Sequence, residues 1–361
     1  MFRPYTAVLI VPTGIGAAIG GYAGDALPVA RAMAQVCDRL ITHPNVLNGA
    51  QLYWPMSNTF YVEGYALDQF ALGNWGLQPV HQNRIGLLLD QGIEPDLRQR
   101  HLQVADAARA TLGLNLTDYV ITDAPLEVEL RTAASGASWG TIGNPDSLLR
   151  GAEILINKAK AEAIAIVARF PEDQDSLALE QYRHGQGVDP LAGAEAVISH
   201  LIVRQFRIPC AHAPALSTLP LDPDLSPRSA AEELGYTFLP CVLVGLSRAP
   251  QFVDRAKNSS ESSFSSDLIW GNAVDAVVVP ATACGGSAIL CFSHRQTQII
   301  AVRDNQTRMQ VSPESLGIKA VQVNSYLEAL GVLVADRAGI APETLHPNLL
   351  SLAKIDPDSI R

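Results

Sequence analysis

A chain of 361 residues with 48% apolar and 17% charged residues is long enough for one large or two medium cores and too apolar for disorder. The net charge is −10 and no basic block occurs, which excludes the Lys/Arg footprint that nucleic-acid binding needs. No apolar run reaches the roughly 18 residues of a membrane span, and Arg3, Pro4 and Pro12 make a poor signal peptide, so a cytoplasmic location without a membrane partner is expected.

The first apolar run, Ala7 to Val11, predicts a strand buried on both faces. It leads into a turn with five glycines between Gly14 and Gly24, and then a helix over Ala26 to Asp38 that Asp25 would cap. Arg39 to Thr42 reads as the second strand. A polar loop from His43 to Gly49 follows it, and then the aromatic loop Tyr53 to Thr59.

Glu63 to Gly73 predicts a short helix, Arg84 to Asp90 a strand and Glu94 to Leu112 a long amphipathic helix. Asp118 to Asp123 and Leu126 to Thr132 read as strands, and Ser135 to Pro145 as a second glycine/serine loop. A helix then runs to Lys158, and Ala161 to Ala168 is a buried strand. Leu191 to Phe206 predicts a helix, with an extended segment through Cys210 and His212 after it. Ser217 to Pro227 carries three prolines and reads as a surface loop or lid. Thr237 to Leu246 is apolar enough for a strand despite Pro240, and Lys257 to Asp267 is the most polar stretch.

The last unit predicts a strand over Val274 to Pro280, the turn Ala281 to Gly286, a helix over Ser287 to Ser293, a strand over Gln298 to Arg303 and a closing helix over Val323 to Ala338. Alternating strands and helices mean an α/β fold with mainly parallel sheets and flanking helices, arranged as two Rossmann-like lobes around a cleft. Topology alone puts the division near residue 145, with lobes 1–145 and 146–361. LIVPTGIG and VVVPATACGG echo one another, as two turns on opposite walls of one cleft would. Several stretches (VPTGIGAAIGGYAGDA, ITHPNVLNGA, SGASWGTIGNPDSLL, GVDPLAGAEAVISH with PCAHAPAL, and VVPATACGG) together resemble an uncharacterised family, domain of unknown function 3326, of cyanobacteria and plastid-bearing lineages. The resemblance spans nearly the whole chain and brings no catalytic residues with it.

Gly14 and Gly16 fit a dinucleotide fingerprint, but Ile19 stands where its third glycine belongs, and Thr42-His43 replaces the ribose-binding acid. An NAD(P)-dependent oxidoreductase is therefore the second alternative, and no cofactor is assigned. The ligand-binding candidates are Thr13, Gly14, Gly16, Gly20, Gly21, Asn45, Asn48, Gly285, Gly286 and Asn305, at turns where backbone N–H groups and short polar side chains could hold an anion. Cys284 is a candidate nucleophile, because a thiol between a strand and a helix N-terminus could ionise, with His43 and His212 as acid/base partners.

No metal is assigned. Cys210 and His212 share a face in an extended segment and are weak ligand candidates, whereas Glu195 and His200, five apart on a helix, point about 140° from each other. The five cysteines form no Cys-x-x-Cys pair, so reduced thiols are expected. The resulting expectation is an enzyme acting on a small polar or anionic metabolite in a cleft between lobes. The first alternative is a non-catalytic ligand-binding or regulatory protein, and a homo-oligomer is left open.

Overall fold

A computed structural model describes residues 3–47, 54–172, 177–233, 239–256 and 268–352, without the side chains of 44, 45, 231 and 232. In chain order the strands and helices are β1 (Thr6–Leu9), α1 (Leu27–Val36), β2 (Arg39–Thr42), α2 (Pro44–Leu47), β3 (Thr59–Tyr61), α3 (Gly64–Leu72), β4 (Trp75–Gln78), β5 (Ile85–Leu89) and α4 (Pro95–Leu112). Next come β6 (Leu116–Ile121), β7 (Val128–Thr132), β8 (Ser138–Ile142), α5 (Pro145–Lys158), β9 (Ala163–Arg169), α6 (Leu177–Arg183), α7 (Ala192–Phe206), β10 (Cys210–Ala215) and α8 (Ala230–Glu233). The chain closes with α9 (Leu239–Ser247), β11 (Gln251–Asp254), β12 (Ala276–Pro280), α10 (Ser287–Ser293), β13 (Gln298–Val302), β14 (Ala320–Val323) and α11 (Tyr326–Arg337).

Two parallel sheets carry the fold. The larger has the order β14-β13-β12-β1-β2-β3, and the smaller β10-β9-β5-β6. Numbered by its own strands, the larger sheet reads 3-2-1-4-5-6 across its width, the doubly wound nucleotide-fold order, and its direction of winding reverses between β1 and β12. The smaller sheet reverses between β5 and β9. Continuous apolar runs such as AVVVP in β12 and IGLLL in β5 are buried along their whole length, because helices cover both faces.

The layers run helix, sheet, helix, sheet, helix. α1 and α11 cover the outer face of the larger sheet through Met33, Ala30, Ala329 and Leu333. α4 and α9 cover the outer face of the smaller one through Ala105, Ala108, Leu243 and Leu246. Between the sheets, α3, α5, α7 and α10 form a shared middle layer whose core joins Val8 and Val277 of one sheet to Leu88 and Ile166 of the other. Phe70 of α3 and Phe292 of α10 meet edge to face in it, both fully buried, and burying each ring stabilises the layer by about 2–3 kcal/mol.

The sheets do not divide at residue 145. Strands from both ends of the chain build the larger sheet and the middle of the chain builds the smaller, so a cut at 145 separates β1 from its neighbour β12. The echo between the two glycine turns has the same origin. β1 and β12 are adjacent, which sets the turns side by side on one wall and not on opposite walls.

The expected strand at Thr237 to Leu246 is helix α9 from Leu239 onward, with Pro240 its second residue, where a missing N–H costs a helix nothing. The polar loop after β2 contains the one-turn helix α2. Asn48 and the side chain of Asn45 lie outside the described residues, as does the polar stretch Lys257 to Asp267. At Gly14 the backbone is left-handed (φ +67°) and an added Cβ would stand 2.5 Å from Ser138 Oγ. The glycine turn therefore clasps strand β8 closely, and the Gly14 carbonyl accepts a hydrogen bond from Ser138 N at 2.9 Å.

Candidate functional site

Strand ends on one edge of a parallel sheet point their following loops at a common space, most open where the winding reverses. In the larger sheet this edge borders a cleft of about 360 Å³, the low end of the size range for metabolite sites. Its first wall comes from the ends of that sheet: Pro12 and Thr13 after β1, His43 after β2, Glu63 after β3, and Gly286 and Ser287 after β12. The facing wall comes from Asp189, from Glu195, Ser199 and His200 of α7, and from His212 of β10. Glu195 and Ser199 are four apart, so they share one helix face.

His212 stands between two of these groups. Its Nδ1 is 2.5 Å from Ser199 Oγ, and its Nε2 is 3.5 Å from a Glu195 carboxylate oxygen. Asp189 accepts a hydrogen bond from Leu191 N at 2.8 Å, at the start of α7. Burial, together with the nearby charge of Glu195, nonetheless pushes its carboxyl up to about 7. Ionising Asp189 in a poorly solvated place beside a second carboxyl is costly, so Asp189 keeps its proton toward neutrality.

Across the cleft Glu63 is buried and fully used. One oxygen accepts from Tyr65 N at 2.8 Å and caps α3, and the other lies 2.5 Å from His200 Nδ1. This pairing raises the His200 pKa against the opposing effect of burial. Asp68 of α3 is also raised, by burial, although it accepts hydrogen bonds from Ala288 N and Ser287 at the start of α10.

His43 plays a different part. Val11 N donates to its Nε2 at 2.9 Å, so the ring proton sits on Nδ1, and burial lowers the pKa to about 4. The ring is thus a neutral donor, and the acid/base role expected for it does not fit a nitrogen already holding a main-chain N–H.

The structure gathers Thr13, Gly21, His43, His212 and Gly286 at the cleft; of the other expected residues that are described, Gly14, Gly16, Gly20, Cys210, Cys284, Gly285 and Asn305 are not part of its lining. Cys284 is fully buried in the middle-layer core, its sulfur 3.8 Å from the Pro280 and Ala281 carbonyls, and burial pushes the thiol up to about 11. It sits as a core thiol, since burial and the Glu314 charge both oppose a thiolate. Thiol-directed reagents are expected to modify Cys284 at pH 7 only as the chain unfolds; rapid labelling of the native protein at this position, mapped by peptide mass spectrometry, would contradict that. Cys210 is likewise buried, and burial raises its thiol well above the ordinary value. Among the described residues no group of three or more His, Cys, Asp or Glu side chains is set to hold a metal.

The glycine turn also holds no anion cradle at its centre. Ala18 N donates to Gln306 O at 2.9 Å, Ile19 N to Asn305 Oδ1 at 2.8 Å and Gly20 N to Asp25 Oδ1 at 2.8 Å. Asn305 is buried and gives its amide to Ile19 O and the Tyr326 hydroxyl, so it fastens the turn and is not part of the lining of this cleft. Gly16 packs toward Gly187 and Val188, Gly20 against Val11, and Gly285 against Val311. Helix α1 starts only at Leu27, too far along the chain for its N-terminus to serve Gly14 to Gly16 directly. Among the described residues the cleft lining contains no Lys or Arg. Arg169 is held by Glu94 and Glu172, Arg131 by Glu129, and Arg303 by Gln322.

Glu63, Asp68 and Ser199 escaped the sequence reading. The i,i+4 spacing of Glu195 and Ser199 was the available signal for one of them. Glu63, two residues past β3, carried the mark of a helix cap, though not of its second bond to His200.

A family model described as "Protein of unknown function (DUF3326)" matches residues 6–346. An uncharacterized lipoprotein of Synechococcus sp. is 62% identical over 345 residues, covering 96% of this chain and 94% of its own length. No solved structure matches the chain. The relative's name, a lipoprotein, overturns the cytoplasmic location expected from the sequence. Among the described residues no helix is long and apolar enough to cross a membrane.

Proposed function

The chain belongs to the DUF3326 family of proteins of unknown function, and for this member we propose an enzyme that moves protons on a small polar metabolite held in the cleft between its two sheets. One observation carries the reading: Asp189, held near neutrality, lies beside Glu195, which in turn faces His212. A group whose proton is evenly shared between bound and free states at working pH is what general acid/base catalysis needs. A protein that only carries a ligand has no need to store a proton beside it. The expected anionic ligand loses support, because among the described residues the cleft offers four carboxyl groups and no Lys or Arg, and the central N–H groups of the glycine turn are bonded within the chain. An uncharged polar ligand fits this lining. The relative's name favours lipid attachment of this chain as well, and the chemistry of the cleft is the same wherever the protein sits.

The test is to incubate the protein with a small-metabolite extract in D2O and follow conversion and deuterium uptake by mass spectrometry. At least one uncharged metabolite is expected to change with the native protein, and Glu195→Gln is expected to slow that change about 10²–10⁴-fold. Retention of a metabolite without any conversion would favour the ligand-binding alternative instead.

A further inference from the structure

His43 is more than nine-tenths buried, yet it lines the cleft. Its Nε2 is occupied by Val11 N–H, and among the described residues no group bonds its Nδ1. The proton must be on that Nδ1, since an N–H donor cannot bond a protonated Nε2. The ring therefore keeps one N–H for whatever enters the cleft. Its orientation is fixed by a main-chain bond at the end of β1, so the donor needs no reorganisation when a ligand arrives.

We propose that His43 Nδ1–H binds the carbonyl oxygen of a small uncharged aldehyde or ketone, and that Glu195 on the facing wall removes a proton from the carbon next to that carbonyl. This rests on the acid/base reading of the cleft and names its substrate class. In the step, the C–H electron pair becomes a C=C bond and the carbonyl π pair moves onto oxygen, giving an enolate that accepts the His43 hydrogen bond. The proton passes to Glu195. Where the deprotonated carbon carries a hydroxyl, that hydroxyl's proton passes to the enolate oxygen, the C=C pair takes the proton back from Glu195 at the former carbonyl carbon, and the freed oxygen forms the new C=O, giving an isomer. Return of the proton to the carbon it left regenerates the substrate with solvent hydrogen exchanged in. No oxidant, reductant or co-reactant is consumed.

A neutral imidazole suits this work because it polarises the carbonyl without giving up its own proton, and burial keeps the ring neutral throughout the physiological range. An imidazolium would instead be drawn into an ion pair with the surrounding carboxylates. The lack of Lys and Arg among the described residues of the lining argues for an uncharged carbonyl compound over a keto acid or a sugar phosphate.

Dihydroxyacetone, glyceraldehyde and hydroxyacetone are the probes. Each is incubated with the protein in D2O, and exchange at the carbon beside the carbonyl is followed by proton NMR. Exchange at least tenfold above buffer is expected for one of them. His43→Leu is expected to lower it about 10²–10³-fold, the usual effect of losing one oxyanion donor, and His43→Gln, which keeps both an acceptor for Val11 N–H and a donor, to recover part of the loss. Absence of exchange with all three probes, or a native rate in His43→Leu, overturns the proposal. Nitrogen-15 NMR of the native protein gives a readout that needs no variant. The His43 ring is expected to stay in the Nδ1–H form from pH 5 to 8, and titration within that range overturns the assignment. If the metabolite extract is converted while the three carbonyl probes do not exchange, the carbonyl class falls and the acid/base reading stands. If the extract is also unchanged, both fall.

Discussion

Asp189→Asn is expected to slow turnover about 10²–10⁴-fold and yet leave the protein more stable than the native chain at pH 8. The folded carboxyl titrates near 7, against an ordinary value of 3.8. A raised acid binds its proton more tightly in the fold than in the unfolded chain. Its favourable contribution is therefore fully present below about pH 4 and lost as pH rises through 7. Across that window the native protein gives up on the order of 3 kcal/mol, less than the full shift implies because solvent partly reaches the site. Asparagine carries no such titration and can still accept from Leu191 N. Urea denaturation at pH 5 and pH 8 should show the native curve weakening more than the variant's. Equal slopes with pH would place the stored proton elsewhere.

Asp90→Ala is expected to cost about 3–5 kcal/mol of stability. The carboxylate sits where the smaller sheet reverses its winding, the position at which such a sheet would otherwise open to a ligand. It ties three main-chain segments together there, accepting from Gly92 N at 2.9 Å, Leu126 N at 3.0 Å and Arg169 N at 3.0 Å. Alanine leaves three main-chain donors without a partner, and each costs about 1–3 kcal/mol where water cannot replace it. Asp90→Asn keeps one acceptor oxygen but turns an NH2 toward donors, so it should lose a smaller amount. A midpoint shift in urea equivalent to under 1 kcal/mol for the alanine variant would show that water fills the gap.

The buried strands were legible because VVVP and IGLLL are unbroken apolar runs too short for helices. The same rule misread α9: LPCVLVGL is also unbroken, and a helix buried all round has no polar face to reveal its period. β3 and β14, at the margins of the larger sheet, are three and four residues long, too short for any periodicity to show. The cleft was legible as a set of polar residues at strand ends, and His43, His212, Thr13 and Gly286 do meet there. Which turn faces which was not, because that depends on strand order, and order is fixed by packing between segments far apart in sequence. Cys284 shows the same limit. Its neighbours Gly285 and Gly286 suggested an exposed turn, whereas its own side chain points into the core shared with Phe70 and Phe292.

Because the larger sheet draws β1, β2 and β3 from the start of the chain and β12, β13 and β14 from its end, synthesis on a ribosome cannot complete it in order. The smaller sheet, whose strands all lie between Ile85 and Ala215, can assemble first from contiguous chain. Until β12 emerges, β1 presents an unpaired apolar flank, the kind of edge that recruits other chains. Nascent or prematurely terminated chains ending before Ala276 are thus the form of this protein most in need of a chaperone, and the first wall of the cleft is finished only when the last third of the chain has arrived.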